Sequence, residues 1–328
     1  MDTDTADSAT LLDTLDRQLV HALQVDGRAE TGRIAEVLGV STRTVTRRLG
    51  RMLDAEVVRV VRMPDTRQAA LGALLLRVRV LRGRVDALAL ALAARDDVPF
   101  VDVMLGGQEV SAVVLSDPAA RDRLLYGQLP ATDAVVESTA HAVLHLFADA
   151  SQWRAGYLTA EQEAALAPPP PTAEPPTPDA LDHRLLDLLA VDARQSHAAL
   201  ATALGAPEST VRRRLHRLAD GGLLRTHTSV DPRLLGITVD ANLWLDVPPN
   251  RLAATGRALA DHPQVHGVLA TSGPANLMAA VFCPDHAALY RFQTEVLGPL
   301  GVQRAETAIV ARAVKRAGFR LRPLPRLS

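Results

Sequence analysis

The spacing of apolar residues between positions 31 and 53 predicts two short helices joined by a tight turn. Each helix carries its apolar residues on one face, at the three- and four-residue spacing of an amphipathic helix. These residues are Ile34, Ala35 and Leu38 in the first helix and Val45, Leu49 and Met52 in the second. Gly39 suits the end of one helix and Ser41 suits the N-cap of the next. The pattern is typical of a helix-turn-helix, with a small residue, Ala35, where the helices cross.

The same pattern occurs a second time, 166 positions further along the chain. Residues 15–60 and 181–226 align without a gap, and 18 of the 46 pairs are identical. Ala201, Gly205 and Val211 repeat the spacing of the first helix-turn-helix. We therefore expect the chain to contain two copies of one module.

Arginines dominate the predicted outward face of the second helix in each copy. At about 100° per residue, a helix that turns its apolar stripe inward turns Arg43, Arg47 and Arg51 outward. No acidic residue occurs between Ser41 and Leu53. Arginine can read guanine edges in the major groove and can bind phosphates, so we expect two recognition helices that contact double-stranded DNA. The expected DNA-binding residues are Ser41, Thr42, Arg43, Thr44, Arg47, Arg48 and Arg51, and then Ser209, Thr210, Arg212, Arg213, Arg214 and Arg217.

A solvated surface is the simpler explanation for a single arginine-rich helix face, but duplication on a helix-turn-helix favours DNA contact. The second copy is the weaker one, because Pro207 replaces the serine cap and Glu208 enters the first turn. Alternating runs at 57–62 and 223–228 predict a short β wing after each copy. The wing arginines either reach a phosphate or protect an edge strand from aggregation.

Strand and helix patterns alternate in the stretch that follows each helix-turn-helix. The predicted order is β-α-β-β-α-β in both copies, which is that of a ferredoxin-like domain. At the same offset of 166, Gly107 falls on Gly273 and Pro118 on Pro284, which predicts that the whole module is duplicated. Such sheets expose one face and commonly pair across it, so we expect self-association through these domains.

The predicted fold class is α+β, with two tandem modules that each join a winged helix-turn-helix to a ferredoxin-like domain. Prolines concentrate between the modules and predict an extended, semi-rigid linker that cannot pack as a core. Such a tether would raise the effective concentration of one DNA-binding head once the other is bound. The expected boundaries are 11–65 and 179–230 for the winged helix-turn-helix domains, 73–149 and 237–318 for the ferredoxin-like domains, and 150–178 for the linker.

Composition limits the function further. The 328 residues carry a formal net charge of −1, so a DNA-binding surface has to be a local basic patch. The one cysteine, Cys283, can form neither an internal disulfide nor a thiolate cluster, which predicts a reducing, cytoplasmic location. The acidic, polar first ten residues predict a disordered start without a signal peptide. No apolar run reaches the length of a membrane span, so no membrane partner is expected.

A winged helix-turn-helix followed by a β-α-β-β-α-β domain resembles the leucine-responsive regulator/AsnC (Lrp/AsnC) family of bacterial transcription factors. The resemblance covers nearly everything but the linker. Its features are an opening Leu-Asp pair, an Asp-Gly-Arg before the second helix, an exit motif after the wing, and a glycine loop in the effector domain. The opening pairs are Leu15-Asp16 and Leu181-Asp182, and the second motif is Asp26-Gly27-Arg28, with the near match Asp192-Ala193-Arg194. The exit motif is Asp231-Pro232 with Leu235-Gly236, echoed in part by Leu71-Gly72. The glycine loop is Gly273-Pro274-Ala275-Asn276, where the family has Gly-x-x-Asp.

The resemblance implies a sequence-specific DNA-binding regulator that responds to an amino acid or a related small metabolite, without catalytic residues, metal or cofactor. In similar proteins the effector lies between paired α/β domains near the glycine loop. By this likeness the effector site would include Thr271, Gly273 and Asn276, although a glycine loop can also serve simply as a tight turn. Val110 stands where Asn276 stands in the second copy, so the two α/β halves could pair with each other and leave one working pocket. Because the two recognition helices differ, we expect an imperfect palindrome or two unequal DNA half-sites, and not a strict inverted repeat.

Two other functions are compatible with the same sequence. Some siroheme decarboxylases resemble this family and are fused pairs of about this length, and Asn242-Leu243-Trp244 is similar to an Asn-x-Trp strand of that group. The histidines argue against an enzyme, because even His141 and His145 lie on a predicted strand, too far apart to hold one metal. The third possibility is a ligand-binding or assembly module that has lost DNA binding.

Overall fold

The chain folds into two compact units, and each unit is built from two separate segments. The computed structural model describes residues 12–63, 73–115 and 117–320. The helical unit comprises residues 1–65 and 151–236, and the sheet unit comprises residues 66–150 and 237–328. Stretches that are similar in sequence therefore fold together. The first ten residues and Leu71-Gly72 lie outside the described residues.

The first half of the chain contains six helices and five strands within the described residues. It begins with α1 (Thr14–Val25), α2 (Thr31–Leu38), α3 (Thr42–Asp54) and β1 (Val58–Arg62). It continues with β2 (Leu74–Val80), α4 (Val85–Ala93), β3 (Phe100–Met104), β4 (Glu109–Val114), α5 (Pro118–Asp122), a π-helical turn (Arg123–Gln128), β5 (Val135–Ala148) and α6 (Ala160–Leu166).

The second half has the same order of main elements, except that it contains a 3-10 turn and ends on an extra strand where the first half ends on α6. It begins with α7 (Ala180–Val191), α8 (His197–Leu204), α9 (Glu208–Asp220), β6 (Thr226–Val230) and a 3-10 turn (Pro232–Leu235). It continues with β7 (Val239–Asp246), α10 (Leu252–Ala260), β8 (Val265–Thr271), β9 (Leu277–Cys283), α11 (His286–Arg291), a π-helical turn (Phe292–Leu297), β10 (Arg304–Arg316) and β11 (Phe319–Arg320). None of the described helices is long and apolar enough to cross a membrane.

In the helical unit, the two predicted wings pair with each other. β1 and β6 form an antiparallel two-stranded sheet that runs from the pair Val58–Val230 to the pair Arg62–Thr226. Reciprocal arginines support this pairing, because Arg28 donates to the carbonyl of Ala193 while Arg194 donates to that of Gly27 at 2.7 Å. The prediction of a separate wing hairpin in each copy is wrong, since each strand finds its partner in the other copy.

The prediction of an extended linker is wrong for residues 151–166. Thr159 and Gln162 form a capping box that starts α6, and Leu166 at its end is fully buried. The buried His21 of α1 accepts hydrogen bonds through Nδ1 from the backbone N–H groups of Tyr157 and Leu158, both at 2.9 Å. These contacts hold the segment against the first helix-turn-helix, although the prolines that follow it, from Pro168 onward, suggested an extended linker.

In the sheet unit, eight strands close into a barrel-like sheet, and β11 extends β10 by a short hairpin. The order is β10-β3-β4-β2-β5-β8-β9-β7, and β7 pairs back to β10. Two seams, β5 with β8 and β10 with β3, join the two halves of the chain. Each four-stranded half packs its own helices on one face, and a third core cluster of Leu75, Val143, Trp244, Met278 and Ala280 forms from the other faces. The α/β halves therefore pair within one chain.

The constant offset of 166 holds in the helical unit but not in the sheet unit. Gly39 and Gly205 end equivalent helices, whereas the residues that cap α5 and α11 are Asp117 and Asp285, which are 168 positions apart. Pro118 is the first residue of α5, but Pro284 precedes the cap of α11, so the predicted equivalence of these prolines is wrong. The second half has gained residues in its loops, and a gapless alignment cannot follow them.

Candidate DNA-binding and effector sites

Both helix-turn-helix motifs have the local geometry that the sequence predicts. Gly39 and Gly205 end their helices with φ of 66° and 64°, the left-handed conformation that glycine adopts without strain. The hydroxyl of Ser41 accepts a hydrogen bond from the backbone N–H of Thr44 at 3.1 Å and caps α3. Pro207 makes no side-chain cap for α9. The apolar stripe of each second helix is buried.

Three of the predicted DNA-binding arginines are exposed and unpaired. Arg43 and Arg47 lie on the outward face of α3, and Arg213 lies on that of α9. Among the described residues, no hydrogen bond or ion pair engages these three guanidinium groups. Thr42 and Ser209 are exposed beside them, while Thr44 and Thr210 are half-buried and Arg212 pairs with Glu208 at 3.1 Å. Free cations on a helix face are what phosphate or base contact requires.

Two of the predicted DNA-binding arginines instead hold the motif together. The Nη1 atom of Arg48 lies 3.0 Å from Asp16 and also bonds Asp13, and that of Arg214 lies 2.8 Å from both Asp179 and Asp182. Their side chains are only 21% and 20% exposed. A charge paired in this way has less freedom to reach a ligand, and contact of Arg48 and Arg214 with DNA stays a prediction.

A buried carboxylate from the first helix of each motif accepts these bonds. Asp16 is 3% exposed and also binds Arg51 at 2.6 Å, and the fully buried Asp182 also binds Arg217. Burial is the largest single influence on Asp182 and opposes its charge, but the hydrogen bonds from Arg214 and the backbone of Asp179, with the charges of Arg214 and Arg217, together lower its pKa. Sequence reasoning missed this function, although the signal was present, since the Leu-Asp pairs recur at the 166 offset with an arginine 32 residues later in both copies.

The predicted effector residues lie in one loop of the sheet unit, where their side chains already have partners. Thr271 donates its hydroxyl to the carbonyl of Ala275 at 2.8 Å. Asn276 bonds both backbone groups of Val247, at 3.0 Å from the N–H and 2.7 Å to the carbonyl. Gly273 has φ of 99°, a conformation that favours glycine. The three residues therefore shape the loop and present its backbone.

Side chains from the other half of the chain border this loop. His141 on β5 lies with its Nδ1 atom 3.0 Å from the carbonyl oxygen of Ser272, and a Cβ added to Gly273 would meet that ring atom at 2.4 Å. The His141 ring lies 5.3 Å from the Trp244 ring, and the Arg77 guanidinium lies 5.3 Å from the same indole. By contrast, a Cβ added to Gly107 would meet no described atom within 4 Å. The two glycine loops are therefore not equivalent.

A buried charge cluster lies in the same unit. Arg316 bonds both Asp102, at 3.1 Å, and Asp240, and His266 lies 3.4 Å from Asp240. Burial raises the pKa of Asp102 to about 7. It also lowers the pKa of His266, while Arg316 and His266 overcome burial and lower that of Asp240. The positive charge of Arg316 thus compensates the negative charge of only one of the two carboxylates, that of Asp240. No group of metal-binding side chains occurs among the residues that the structure describes.

Known domain families match the segments that contain these two sites. An AsnC-type helix-turn-helix domain matches residues 12–53 and 179–219, and an Lrp/AsnC ligand binding domain matches residues 240–318. The chain belongs to the Lrp/AsnC family. An uncharacterised HTH-type transcriptional regulator of Pyrococcus furiosus is 31% identical over 143 residues, which are 43% of this chain and 96% of the relative. The HTH-type transcriptional regulator Ptr1 of Methanocaldococcus jannaschii is 30% identical over 42% of this chain and 94% of its own length.

A solved structure aligns with this chain over nearly its whole length. The siroheme decarboxylase NirDL aligns over 93% of both chains, with a TM-score of 0.59 and 14% identity. At that identity the likeness concerns the fold alone. The relatives named above, by contrast, match less than half of this chain.

Proposed function

We propose that this chain is a sequence-specific DNA-binding transcriptional regulator made of two tandem modules, each a winged helix-turn-helix followed by a ferredoxin-like domain. The observation that carries the proposal is the pair of helix-turn-helix motifs whose second helices present unpaired arginines outward. The named relatives are transcriptional regulators, which supports the same function and argues against catalysis. Double-stranded DNA is the partner in this proposal.

Within the proposal, the predicted DNA-binding residues divide into two groups. Arg43 and Arg47 on α3 and Arg213 on α9 reach phosphates or base edges, assisted by the exposed Thr42 and Ser209. Arg48 and Arg214 orient the recognition helices through their ion pairs with the first helix of each motif, while Arg212 pairs with Glu208 of its own helix. Arg51 and Arg217 are about half exposed and can do both. Because α3 has a capped start and no acid in its first turn, it binds DNA more strongly than α9.

The effector in this proposal is an amino acid or a related small metabolite that binds at the loop 271–276. The loop offers backbone groups held in place by Thr271, Gly273 and Asn276, and His141 with Trp244 borders it. Because the equivalent loop of the first half lacks these neighbours, each chain has one working effector site. Association between chains would use surfaces of the sheet unit that the internal pairing leaves exposed.

The direct test is a double substitution on the first recognition helix. Arg43→Ala with Arg47→Ala should weaken binding to a selected DNA site by roughly 100-fold, since each lost phosphate or base contact costs on the order of 1–3 kcal/mol. The measurement is fluorescence anisotropy at fixed salt, with DNA obtained by selection from a random pool. Arg82→Ala with Arg84→Ala removes the same charge from exposed positions of the sheet unit and serves as the control. Equal affinity of both double variants would refute the assignment.

A siroheme decarboxylase-like enzyme is the second candidate function. The fold of NirDL, which aligns with this chain over 93% of both, favours it. The side chains of Arg77, His141 and Trp244 could then serve a substrate in the sheet unit. Titration of the purified chain with a tetrapyrrole, followed by absorbance, separates the two. Tight tetrapyrrole binding without DNA binding would favour the enzyme.

A further inference from the structure

Residues 171–176, here called the strap, lie against the second recognition helix. The backbone N–H groups of Thr172 and Ala173 donate to the carbonyl of Asp220, the last residue of α9, at 3.0 and 3.2 Å. These bonds satisfy an oxygen that a helix end otherwise leaves without a partner. Pro176 is half-buried, although most of the strap is exposed.

The strap forms one wall of a groove of about 660 Å³, and the outward face of α9 forms the other. Glu174 and Pro176 lie on the strap side. Ser209, Arg213 and Arg217 lie on the helix side, and they are the residues that a bound DNA would have to meet. The strap therefore lines the approach to the second recognition helix.

Gly221 gives independent evidence that the fold accommodates the strap. A Cβ added at this position would lie 2.2 Å from Cδ of Pro176 and 3.3 Å from the carbonyl oxygen of Glu174. The backbone does not require glycine here, because Gly221 has φ of −87°. The equivalent residue after α3 is Ala55, with φ of −79°. Glycine is thus needed at 221 for the close approach of the strap and not for the turn.

The strap cannot drift far, because the chain before it is attached to the first helix-turn-helix. Arg33 of α2 donates to the carbonyl of Ala165 through Nε at 3.0 Å, and Leu166 is fully buried. Only a few exposed residues separate this anchor from the strap. The strap is a short bridge from one helix-turn-helix to the recognition helix of the other.

We propose that the strap is an autoinhibitory element that blocks the second recognition helix until it is displaced; this inference rests on the proposed DNA-binding function. A recognition helix has to enter a major groove only about 12 Å wide, which leaves no space for a chain segment along its outward face. The carboxylate of Glu174 also places a negative charge where phosphates would lie. Displacement of the strap therefore allows the second recognition helix to bind DNA together with the first.

The experiment uses Gly221→Ala to expel the strap and Ala55→Gly as its counterpart in the first copy. Both are made in the full chain that also carries Arg43→Ala and Arg47→Ala, so that the remaining affinity for a 24-base-pair random-sequence duplex reports α9. Hydrogen exchange at the backbone N–H groups of Thr172, Ala173 and Glu174 measures release of the strap. We expect Gly221→Ala to speed that exchange and to raise DNA affinity about tenfold, and Ala55→Gly to do neither.

A second variant, in which residues 171–176 become a Gly-Ser sequence of equal length, should have the same effects as Gly221→Ala. Faster strap exchange without a gain in DNA affinity would overturn the inference, and so would unchanged exchange in both releasing variants. Failure of the proposed function looks different, because the chain with its recognition arginines intact would then not bind the duplex at all. Thermal unfolding checks that each variant is folded.

Discussion

At the scale of single residues, buried polar groups decide how the helical unit is held together. Asp16 and Asp182 bind arginines of the recognition helices, and His21 binds the backbone of the segment before α6. A buried polar group costs free energy unless it is hydrogen-bonded, so each of these contacts favours one arrangement of helices. The residues that position the DNA-contacting arginines are therefore as informative as the arginines themselves.

His21 makes the stability of the helical unit dependent on pH. Burial, assisted by the nearby Arg154, lowers the pKa of its imidazole to about 4. Since the unfolded chain takes up this proton near pH 6.5, the stabilisation is complete above about pH 6.5 and is lost as the pH falls towards 4. We expect His21→Gln, which cannot be protonated, to remove up to about 3 kcal/mol of that pH dependence.

Urea unfolding followed by circular dichroism at pH 7, 5.5 and 4.5 measures the effect. The comparison is the pH dependence of the parent against that of His21→Gln. His183→Gln changes an exposed histidine on α7 and serves as the control. If the parent and His21→Gln lose stability in parallel as the pH falls, the buried imidazole does not contribute in this window.

At the scale of elements, the wing strands and the segment around α6 join the two helix-turn-helix motifs of the helical unit. β1 has no partner in its own half and pairs with β6. α6 contacts the first helix-turn-helix through His21 and Leu166, and the strap after it contacts α9. The two heads are thus joined by packing and hydrogen bonds, and not by a flexible tether.

Gly27 shows how closely these elements approach. A Cβ at this position would lie 2.5 Å from Cγ1 of Val60 and 2.7 Å from Oγ1 of Thr226, at the paired wings. We expect Gly27→Ala to cost about 1–3 kcal/mol of stability, because the strands have to shift to accept it. Gly32→Ala on α2 is the matched control, since no described atom lies within 4 Å of its added Cβ, and helix propensity favours alanine by up to about 1 kcal/mol. Equal denaturation midpoints for both variants would rule out a tight wing contact.

At the scale of the whole molecule, the two halves of the chain pair with each other in both units. Each unit contains one part from each half of the chain, and differences between the halves appear as differences between the two sites in each unit. α3 is free while α9 faces the strap, and the loop 271–276 is bordered by His141 while its counterpart is not. A duplicated chain can specialise its copies in a way that a symmetric dimer cannot.

This arrangement predicts a rigid spacing between two unequal DNA half-sites. Footprinting with the Gly221→Ala variant, in which the strap is released, should show two protected regions of different affinity on a selected site. Insertion of five base pairs between them turns one half-site to the opposite side of the duplex and should reduce affinity at least tenfold, because paired wings cannot follow the rotation. Insertion of five base pairs outside the site is the control. Unchanged affinity after the internal insertion would indicate a flexible connection.

Much of the fold was predictable because patterns over a few neighbouring residues determine where its helices and strands form. The repeated stripe around Val45 and Val211, the glycines at 39 and 205, and the alternation of strands in each half correctly predicted the main helices and strands. The prolines from Pro168 onward misled for the residues before them, where a capping box and a buried leucine form α6. The constant offset of 166 gave wrong residue equivalences in the sheet unit, because the loops of the second half are longer there.

The sequence by itself determined the kinds of element, the duplication and the family, since periodicity, caps and motif residues act over a few positions of the chain. Only the tertiary structure decided which wing pairs with which, which arginines are free, and what borders each glycine loop. Those outcomes depend on contacts between residues more than a hundred positions apart, such as Gly27 with Thr226 and His141 with Ser272. Pairing across the two halves is set by burial and hydrogen bonding in the folded chain, which no local pattern records.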